Sequence, residues 1–275
     1  MHDRHVFHRR ITWHRRCVMT FNTVEIAQSY DNWLKTPAGR YIDGREKSLI
    51  LDLITPRGGE KVLDVGCGTG EHLLLFKKKG CHISGVELSP GMLDIAKQKL
   101  GNRADLYMEK AEDLPFPDNE FDIVTMINTL EFIDDPQKAI CEAIRVCRGR
   151  IFLGGMNKLS IVGNRWKYQK LLPPSLYQKA RFFHIRQLMG MVRNQLQGVR
   201  TQWGSVIFFP YGWYTSATRL EEAIPIMKNP FGAFLGMSFP MTFTYRTLQD
   251  VIRKPFTIDV QDREPAHGTM GVIQK

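Results

Sequence analysis

The feature that most constrains the fold is the stretch 61–70, which reads Lys-Val-Leu-Asp-Val-Gly-Cys-Gly-Thr-Gly. Its apolar start is typical of a buried strand, and the glycines Gly66, Gly68 and Gly70 follow. Glycine is favoured where φ is positive or where a Cβ would collide with a ligand. A helical pattern comes next. Strand, glycine loop and helix together predict an open α/β sheet that binds a ligand at the carboxyl ends of its strands.

A second predicted strand, 82–87, ends in Glu87, an acid 21 residues after Gly66. A carboxylate at this distance can accept both hydroxyls of a ribose, which indicates an adenosine cofactor. The dinucleotide fingerprint G-x-G-x-x-G is not matched, because the third glycine comes one residue early. Asp64 also lies inside the first strand, where a carboxylate suits a cationic amino group better than a pyrophosphate. The alternatives are a ligand-free glycine turn and a nicotinamide or flavin enzyme.

The run Val-Leu-Asp-Val-Gly-Cys-Gly-Thr-Gly resembles motif I of the class I S-adenosylmethionine-dependent methyltransferases. Over about residues 24–239 the chain is similar to their small-molecule (type 11, quinone-biosynthesis-like) group. The resemblance implies a Rossmann-like, doubly wound α/β sheet of seven strands, mostly parallel with the last antiparallel. It also implies an N-terminal helical cap, a helical lid after strand 5, and methyl transfer from S-adenosylmethionine to a small-molecule acceptor by in-line displacement.

The cofactor contacts expected from this pattern lie on the carboxyl side of the predicted strands. They are Asp64, Gly66, Cys67, Gly68, Gly70, Glu87, Leu88, Met92, Ala111, Glu112 and Asn128. Leu88 and Met92 are placed to pack on the adenine, although Met92 can equally be core. Residues 111–124 strongly resemble the family's adenine loop and fourth strand, but Lys110 stands where the family often has an acid. Lysine cannot accept a hydrogen bond, so the Ala111 amide and the Glu112 carboxylate must recognise the adenine.

The N-terminal cap is predicted as a helix over 22–36, a break at 37–41 and a second helix over 43–54. By resemblance, Tyr30 and Arg40 face the methionine carboxylate of the cofactor. The alternative is that Tyr30 is simply a core residue.

The remaining elements follow from hydrophobic periodicity and turn signals. Strands are predicted at 105–110, 121–127, 150–156, 200–208 and 231–239, and helices at 90–100, 135–146, 164–170, 174–183 and 185–196. The expected organisation is an extension over 1–18, a methyltransferase domain over 19–240 with a lid at about 157–196, and a C-terminal extension over 241–275.

Charge is unevenly distributed in this basic chain, whose formal net charge is +10. Residues 1–18 hold five arginines and one acid, and are either a disordered extension or a basic arm for nucleic acid. Residues 143–220 contain 13 Lys and Arg and no Asp or Glu, interleaved with aromatics. Such a segment favours an anionic aromatic acceptor or a lipid head group at a membrane face. The alternatives are charges that merely balance acids near 109–122, or single-stranded nucleic acid.

The candidate general base is Glu131, which follows the fourth strand at the mouth of the predicted site; His184 is second. The alternatives without a catalytic role are that Glu131 is a solvated or helix-capping acid and that His184 is a surface histidine. No metal site is expected, because no His/Cys cluster has zinc-ligand spacing. Five scattered cysteines favour a reducing cytoplasm. Competing functions are a nucleic-acid methyltransferase, a non-catalytic cofactor-binding module and a protein methyltransferase.

Overall fold

A computed structural model of the protein describes Gln28 and residues 31–160, 180–215 and 218–241. Several predictions lie outside these residues: the Tyr30 contact, the extension over 1–18, the C-terminal extension after residue 241, and the two lid helices up to residue 179.

The centre of the fold is a seven-stranded sheet in the order β3-β2-β1-β4-β5-β7-β6. Strands β1 to β5 are parallel, and β7 is antiparallel to both β5 and β6. The strands are β1 Lys61–Val65, β2 His82–Val86, β3 Asp105–Tyr107, β4 Phe121–Ile127, β5 Cys147–Met156, β6 Gln202–Val206 and β7 Phe234–Pro240. The predicted doubly wound, mostly parallel sheet with an antiparallel last strand is therefore confirmed.

Helices cover both faces of the sheet, and each face has its own apolar cluster. The helices are α1 Pro37–Ile54, α2 Glu71–Lys78, α3 Pro90–Leu100, α4 Pro136–Val146, α5 Ile185–Arg193 and α6 Thr218–Glu222. The first three pack on one face, and α4 and α5 pack on the other. The central strands are buried on both sides, as expected for a parallel sheet. Among the described residues, no helix is long and apolar enough to cross a membrane.

The predicted break at 37–41 is wrong, because Pro37 opens α1 instead of interrupting it. Proline is tolerated at the first helical position, where its missing N–H would have no partner in any case. Thr36 is the N-cap, and its side chain accepts a hydrogen bond from Gly39 N at 3.0 Å. A Cβ on Gly39 would lie 2.1 Å from the Trp33 carbonyl oxygen, so this first turn needs glycine for packing.

Several predicted boundaries also change. Strand β3 ends at Tyr107 rather than at residue 110, and β5 begins three residues early, at Cys147. Helix α5 ends at Arg193. Residues 180–183, the described end of the predicted 174–183 helix, are not helical: Phe183 forms a parallel bridge with Asn157.

Three basic residues of the acid-free segment 143–220 are paired with acids at the amino edge of the sheet. Arg145 contacts Glu142 and Asp118, Arg148 contacts Asp122 at 2.7 Å, and Arg150 contacts Glu60 at 2.8 Å. Arg145 and Arg148 thus balance acids of the 109–122 region, as the charge-balancing alternative expected, whereas Arg150 balances Glu60, which lies outside that region.

Candidate functional site

The glycine loop leaves the carboxyl end of β1, and its three glycines serve different purposes. All three have positive φ. A Cβ on Gly66 would lie 2.3 Å from Thr129 Cγ2, and one on Gly70 would lie 2.8 Å from Leu100 Cδ1. A Cβ on Gly68 would meet only the Met92 sulfur, at 3.7 Å. Gly66 and Gly70 thus permit close packing within the fold, whereas Gly68 faces open space that can receive a ligand.

The side chain of Cys67 points away from that space. The residue is buried, and its sulfur lies 2.7 Å from where a Cβ on Gly85 would be, inside the sheet. Burial raises the pKa of the thiol well above its usual value, so this cysteine is not a thiolate nucleophile. Only the backbone of Cys67 remains available to a cofactor.

Asp64 is a buried carboxylate with an unsatisfied oxygen. Its Oδ1 accepts a hydrogen bond from the Thr125 hydroxyl at 2.7 Å, but Oδ2 has no partner in the described part of the chain. Burial raises the pKa of Asp64 to about 7, despite the opposing effect of the Thr125 hydrogen bond. A buried charge without a partner is costly, so this site favours a cationic ligand group.

Glu87 directly follows β2, and its carboxylate bonds to the backbone on both sides of the open space. Oε2 accepts from Gly68 N at 3.0 Å, and Oε1 accepts from Ser89 N at 2.8 Å. Burial raises the pKa of Glu87, while these amides lower it. Each carboxylate oxygen can accept a further hydrogen bond, so the arrangement fits a pair of ligand hydroxyls.

Asn128 directly follows β4 and lies in the left-handed region, with φ of 53°, a conformation that asparagine tolerates better than most residues. Its backbone N–H donates to the Gly154 carbonyl at 2.8 Å, and its side-chain Oδ1 is buried without a hydrogen-bond partner among the described residues. Asp64 and Asn128 therefore each offer an unused acceptor on neighbouring strands.

The residues predicted to contact the adenine form fewer defined contacts than those around the glycine loop. Leu88 is 39% exposed next to Glu87, as a ring-packing residue would be. Glu112 accepts a hydrogen bond from Asp135 N at 3.4 Å, and Ala111 packs at the margin of the apolar cluster under α4. These positions remain compatible with the prediction, which no contact in the structure tests.

Glu131 is buried, contrary to the solvated alternative. It is 2% exposed, and its Oε1 accepts from Met156 N at 2.5 Å. A Cβ on Gly155 would lie 2.1 Å from that oxygen, so a glycine in β5 makes room for the carboxylate. The other oxygen, Oε2, has no hydrogen-bond partner within the described residues. Burial raises the pKa of Glu131 to about 7.

A small pocket adjoins this carboxyl group at the carboxyl edge of β4 and β5. Its walls are apolar apart from the glutamate itself, and are formed by Leu130, Glu131, Gly154, Gly155, Met156, Phe183, Leu188 and Leu235. Sequence reasoning found Glu131 by its position after β4 but missed its burial, because an acid is normally exposed. The nearby glycine pair at 154–155 was the available signal.

A charge cluster that sequence reasoning missed joins the N-terminal segment to the glycine loop. Lys99 Nζ lies 3.0 Å from Asp31 Oδ2, 2.6 Å from Glu71 Oε1 and 3.3 Å from Thr69 Oγ1. Thr69 also donates to Asp31 at 2.9 Å. Arg40 is exposed, and its guanidinium donates to the Lys35 carbonyl, so its predicted cofactor contact stays a prediction.

His184 is the N-cap of α5 and not part of the Glu131 pocket. Its side chain accepts a hydrogen bond from Gln187 N at 3.3 Å in a capping box. This contact supports the alternative that His184 has no catalytic role. In the parts of the chain that the structure covers, no cluster of three His, Cys, Asp or Glu residues could hold a metal ion.

The doubly wound sheet, the glycine loop and the acid after β2 are together typical of proteins that bind an adenosine cofactor. Comparison with known proteins agrees and is more specific. The model of the family described as a methyltransferase domain matches residues 63–152.

Two sequence relatives and one solved structure are informative. A ubiquinone biosynthesis O-methyltransferase of Thiobacillus denitrificans is 31% identical over 183 residues, covering 62% of this chain and 77% of that protein. A demethylmenaquinone methyltransferase of Clavibacter sepedonicus is 34% identical over 104 residues, covering 36% and 42%. A Thermotoga maritima structure, described as an S-adenosylmethionine-dependent methyltransferase and possible histamine N-methyltransferase, is 26% identical with a TM-score of 0.62. It covers 82% of this chain and 100% of its own.

The chain belongs to the class I S-adenosylmethionine-dependent methyltransferases, and its cofactor is S-adenosylmethionine. The residues present fit that cofactor, because a cationic amino group suits the buried Asp64 and two hydroxyls suit Glu87. The comparisons support a small-molecule acceptor and do not favour a nucleic-acid methyltransferase or a non-catalytic module.

Proposed function

We propose that this enzyme methylates a hydroxyl oxygen on the aromatic ring of a small, anionic acceptor, with Glu131 as the general base. When bound, S-adenosylmethionine supplies a methyl group already activated on a sulfonium, so the protein mainly has to position the acceptor. The observation that carries the proposal is the buried Glu131, which lines an apolar pocket at the carboxyl edge of the sheet and whose Oε2 has no hydrogen-bond partner among the described residues.

The raised pKa of Glu131 suits this role. A general base works best when its pKa is near the working pH, because it is then both deprotonated and basic enough to accept a proton. With a pKa of about 7, Glu131 is a stronger base than an exposed glutamate, yet substantially ionised at neutral pH. In the proposed reaction Glu131 Oε2 would accept the proton that the acceptor's hydroxyl gives up when its oxygen is methylated.

The cofactor would be held by the residues already described. Glu87 would accept the ribose hydroxyls, Gly68 would allow close approach of the backbone, and Asp64 with Asn128 would bind the ammonium. Ala111, Glu112, Leu88 and Met92 would contact the adenine. Two observations support this assignment: the open space at Gly68 and the unused acceptor atoms of Asp64 and Asn128.

An anionic acceptor is supported by Arg181. Its backbone N–H donates to the Glu131 carbonyl at 3.0 Å, and its guanidinium donates to the Asp134 carbonyl at 2.8 Å, three residues further along the chain. Phenolic acceptors are supported by the name of the Thiobacillus denitrificans relative, an O-methyltransferase of ubiquinone biosynthesis.

The proposal is tested with an acceptor panel. Formation of S-adenosylhomocysteine is measured with protocatechuate, catechol, histamine and a short RNA. We expect turnover with the two phenols, with the higher kcat/KM for protocatechuate because it carries a carboxylate. Turnover of histamine alone, or of RNA alone, would contradict the proposed acceptor class.

A variant pair serves as the control within the same panel. Arg181→Met should raise KM for protocatechuate roughly two- to fivefold, the range expected for an exposed ion pair, and leave catechol unchanged. Arg193→Met, which removes an exposed arginine at the end of α5, should alter neither acceptor. Equal effects of Arg181→Met on both phenols would argue against recognition of the carboxylate.

Cofactor binding should be linked to deprotonation of Asp64. Its pKa is raised to about 7 in the ligand-free protein, so Asp64 is largely protonated below that pH. A bound ammonium favours the carboxylate, and binding should therefore release a proton and tighten by up to about tenfold per pH unit as pH rises from 5 towards 7. Calorimetry with S-adenosylhomocysteine in two buffers of different ionisation enthalpy measures this release. Asp64→Asn should abolish it; unchanged release in that variant would show that another group titrates.

A further inference from the structure

A strained turn follows β6 at the carboxyl edge of the sheet. Ile207 has φ of 71°, and the residue is 2% exposed. A β-branched residue in this region is a genuine outlier, and such strained residues cluster at functional sites. Its carbonyl accepts a hydrogen bond from Ala233 N at 2.8 Å, which fixes the turn against the start of β7.

A fully buried carboxylate holds this turn in place. Glu221 of α6 is 0% exposed. Its Oε1 accepts from Ile207 N at 2.6 Å, and its Oε2 accepts from Phe208 N at 2.9 Å and from the Tyr214 hydroxyl at 2.9 Å. The Tyr214 oxygen in turn accepts from Phe209 N at 2.8 Å. The backbone amides of residues 207–209 are thus all bound by the buried side chains of Glu221 and Tyr214.

The turn displays a set of aromatic side chains, Phe208, Phe209, Tyr211 and Trp213, which we call the aromatic ledge. The rings of Phe209 and Trp213 are stacked nearly parallel, with centroids 5.5 Å apart and an interplanar angle of 9°. The Tyr211 hydroxyl is 3.2 Å from Thr36 Oγ1, which ties the ledge to the start of α1. Trp213 is 50% exposed and so leaves ring surface available to another aromatic molecule.

Strand pairing places the Ile207 turn at the same edge of the sheet as the Glu131 pocket, although Phe209 and Tyr211 pack with the apolar cluster on the α1 face. Leu235 of β7 lines the Glu131 pocket, and its register partners are Gly155 in β5 and Ser205 in β6. The Ile207 turn begins two residues after Ser205, on the same edge of the sheet as Glu131. Because adjacent strands are about 4.8 Å apart, the base of the turn is roughly 10 Å from the β5 end of that pocket.

We propose that Glu221 is a positioning residue that fixes the Ile207 turn so that the aromatic ledge binds the ring face of the acceptor. The inference rests on the proposed function, since it assumes a small aromatic acceptor at this edge. It adds an acceptor-binding surface and the residue that holds it in place. Tyr214 shares the role of Glu221, because its hydroxyl extends the hydrogen bonding to Phe209.

The test is binding of protocatechuate, used as a ring probe, by calorimetry in the presence of S-adenosylhomocysteine. Glu221→Gln replaces one acceptor oxygen with a donor that opposes the bound N–H groups, so Kd for the probe should rise about tenfold or more. Tyr214→Phe should raise this Kd by less. Trp213→Ala should weaken binding of the probe without displacing the Ile207 turn. The affinity for S-adenosylhomocysteine should stay within about twofold in all three variants.

Amide hydrogen exchange at residues 207–209 separates positioning from general destabilisation. Exchange should accelerate there in Glu221→Gln and stay unchanged in β1 and the glycine loop. The control is Glu222→Gln, which alters the adjacent, exposed acid of α6. If Glu221→Gln does not fold, Tyr214→Phe alone decides the matter by the same two measurements.

Three results would overturn the inference. The parent protein could fail to bind the probe; amide exchange in Glu221→Gln could accelerate without weaker probe binding; or Glu221→Gln could weaken binding of the probe and of S-adenosylhomocysteine equally. Failure of the proposed function is recognised separately, as absence of methyl transfer to any phenol in the acceptor panel. A parent protein that binds the ring probe in a Glu221-dependent way but methylates no phenol would uphold the ledge and reject the reaction.

Discussion

Replacing Glu87 by alanine is expected to weaken S-adenosylmethionine binding by about a hundredfold or more. A hydrogen bond to a charged group contributes about 1.5–3 kcal/mol, and two ribose hydroxyls would lose their acceptor together. The same change also removes the acceptor of the Gly68 and Ser89 amides, which lie on either side of the open space at the glycine loop. Isothermal titration of both proteins with the cofactor measures the difference.

The matched control for this experiment is Glu120→Ala. Glu120 is an acid at the amino edge of the sheet, where it pairs with Lys61 at 2.6 Å, far from the strand ends that would hold a cofactor. Its removal changes the net charge equally and should leave the cofactor Kd within about twofold. If Glu87→Ala bound the cofactor as tightly as Glu120→Ala, the ribose assignment would be wrong.

The second large effect is expected for Glu131→Gln. Glutamine keeps the shape of the side chain but cannot accept the acceptor's proton, and loss of a general base typically lowers the rate by about 10²–10⁴-fold. For the parent enzyme, kcat/KM should fall as pH drops below about 7, because Glu131 must be ionised to act. The variant should lose this limb of the pH profile while binding the cofactor normally.

Unfolding would not account for such a loss. The pKa of Glu131 is raised on folding, so its contribution to stability is greatest below the ordinary carboxyl pKa and disappears as pH rises through about 7. A neutral glutamine avoids that loss, and thermal melting at pH 8 should show the variant at least as stable as the parent. Glu109→Gln, at an exposed position, is the control. A reduced rate with an unchanged pH profile would point to a packing role for Glu131.

The sheet and the glycine loop could be predicted because their signals are local. The apolar run before Gly66 marks β1, and the apolar run 121–127 coincides with β4. Ser89 and Asp135 mark helix starts, since each side chain caps the following helix. In each case a few neighbouring residues are enough to determine where the strand or helix begins.

The rest of the site depends on contacts between distant parts of the chain. The glycine pair at 154–155 is more than 20 residues from Glu131 in sequence, so its role in making space for Glu131 becomes visible only in the fold. Likewise, nothing near Lys99 in sequence reveals that Asp31 and Thr69 contact it. The helix start at Pro37 was missed for a related reason. Proline and glycine usually signal a break, but here the Thr36 cap and the close approach of Gly39 to Trp33 convert the same residues into a first turn.

The antiparallel direction of β7 leaves one part of the chain freer to vary in sequence and length than the rest. Because β7 runs backwards, the long connection over 207–233 both leaves and re-enters the sheet at its carboxyl edge, and it can change in length or sequence without reordering β1 to β4. The matched family region ends at residue 152, within β5, before this connection begins. Variation within this one connection would change the aromatic ledge and leave the strands and helices around the glycine loop intact.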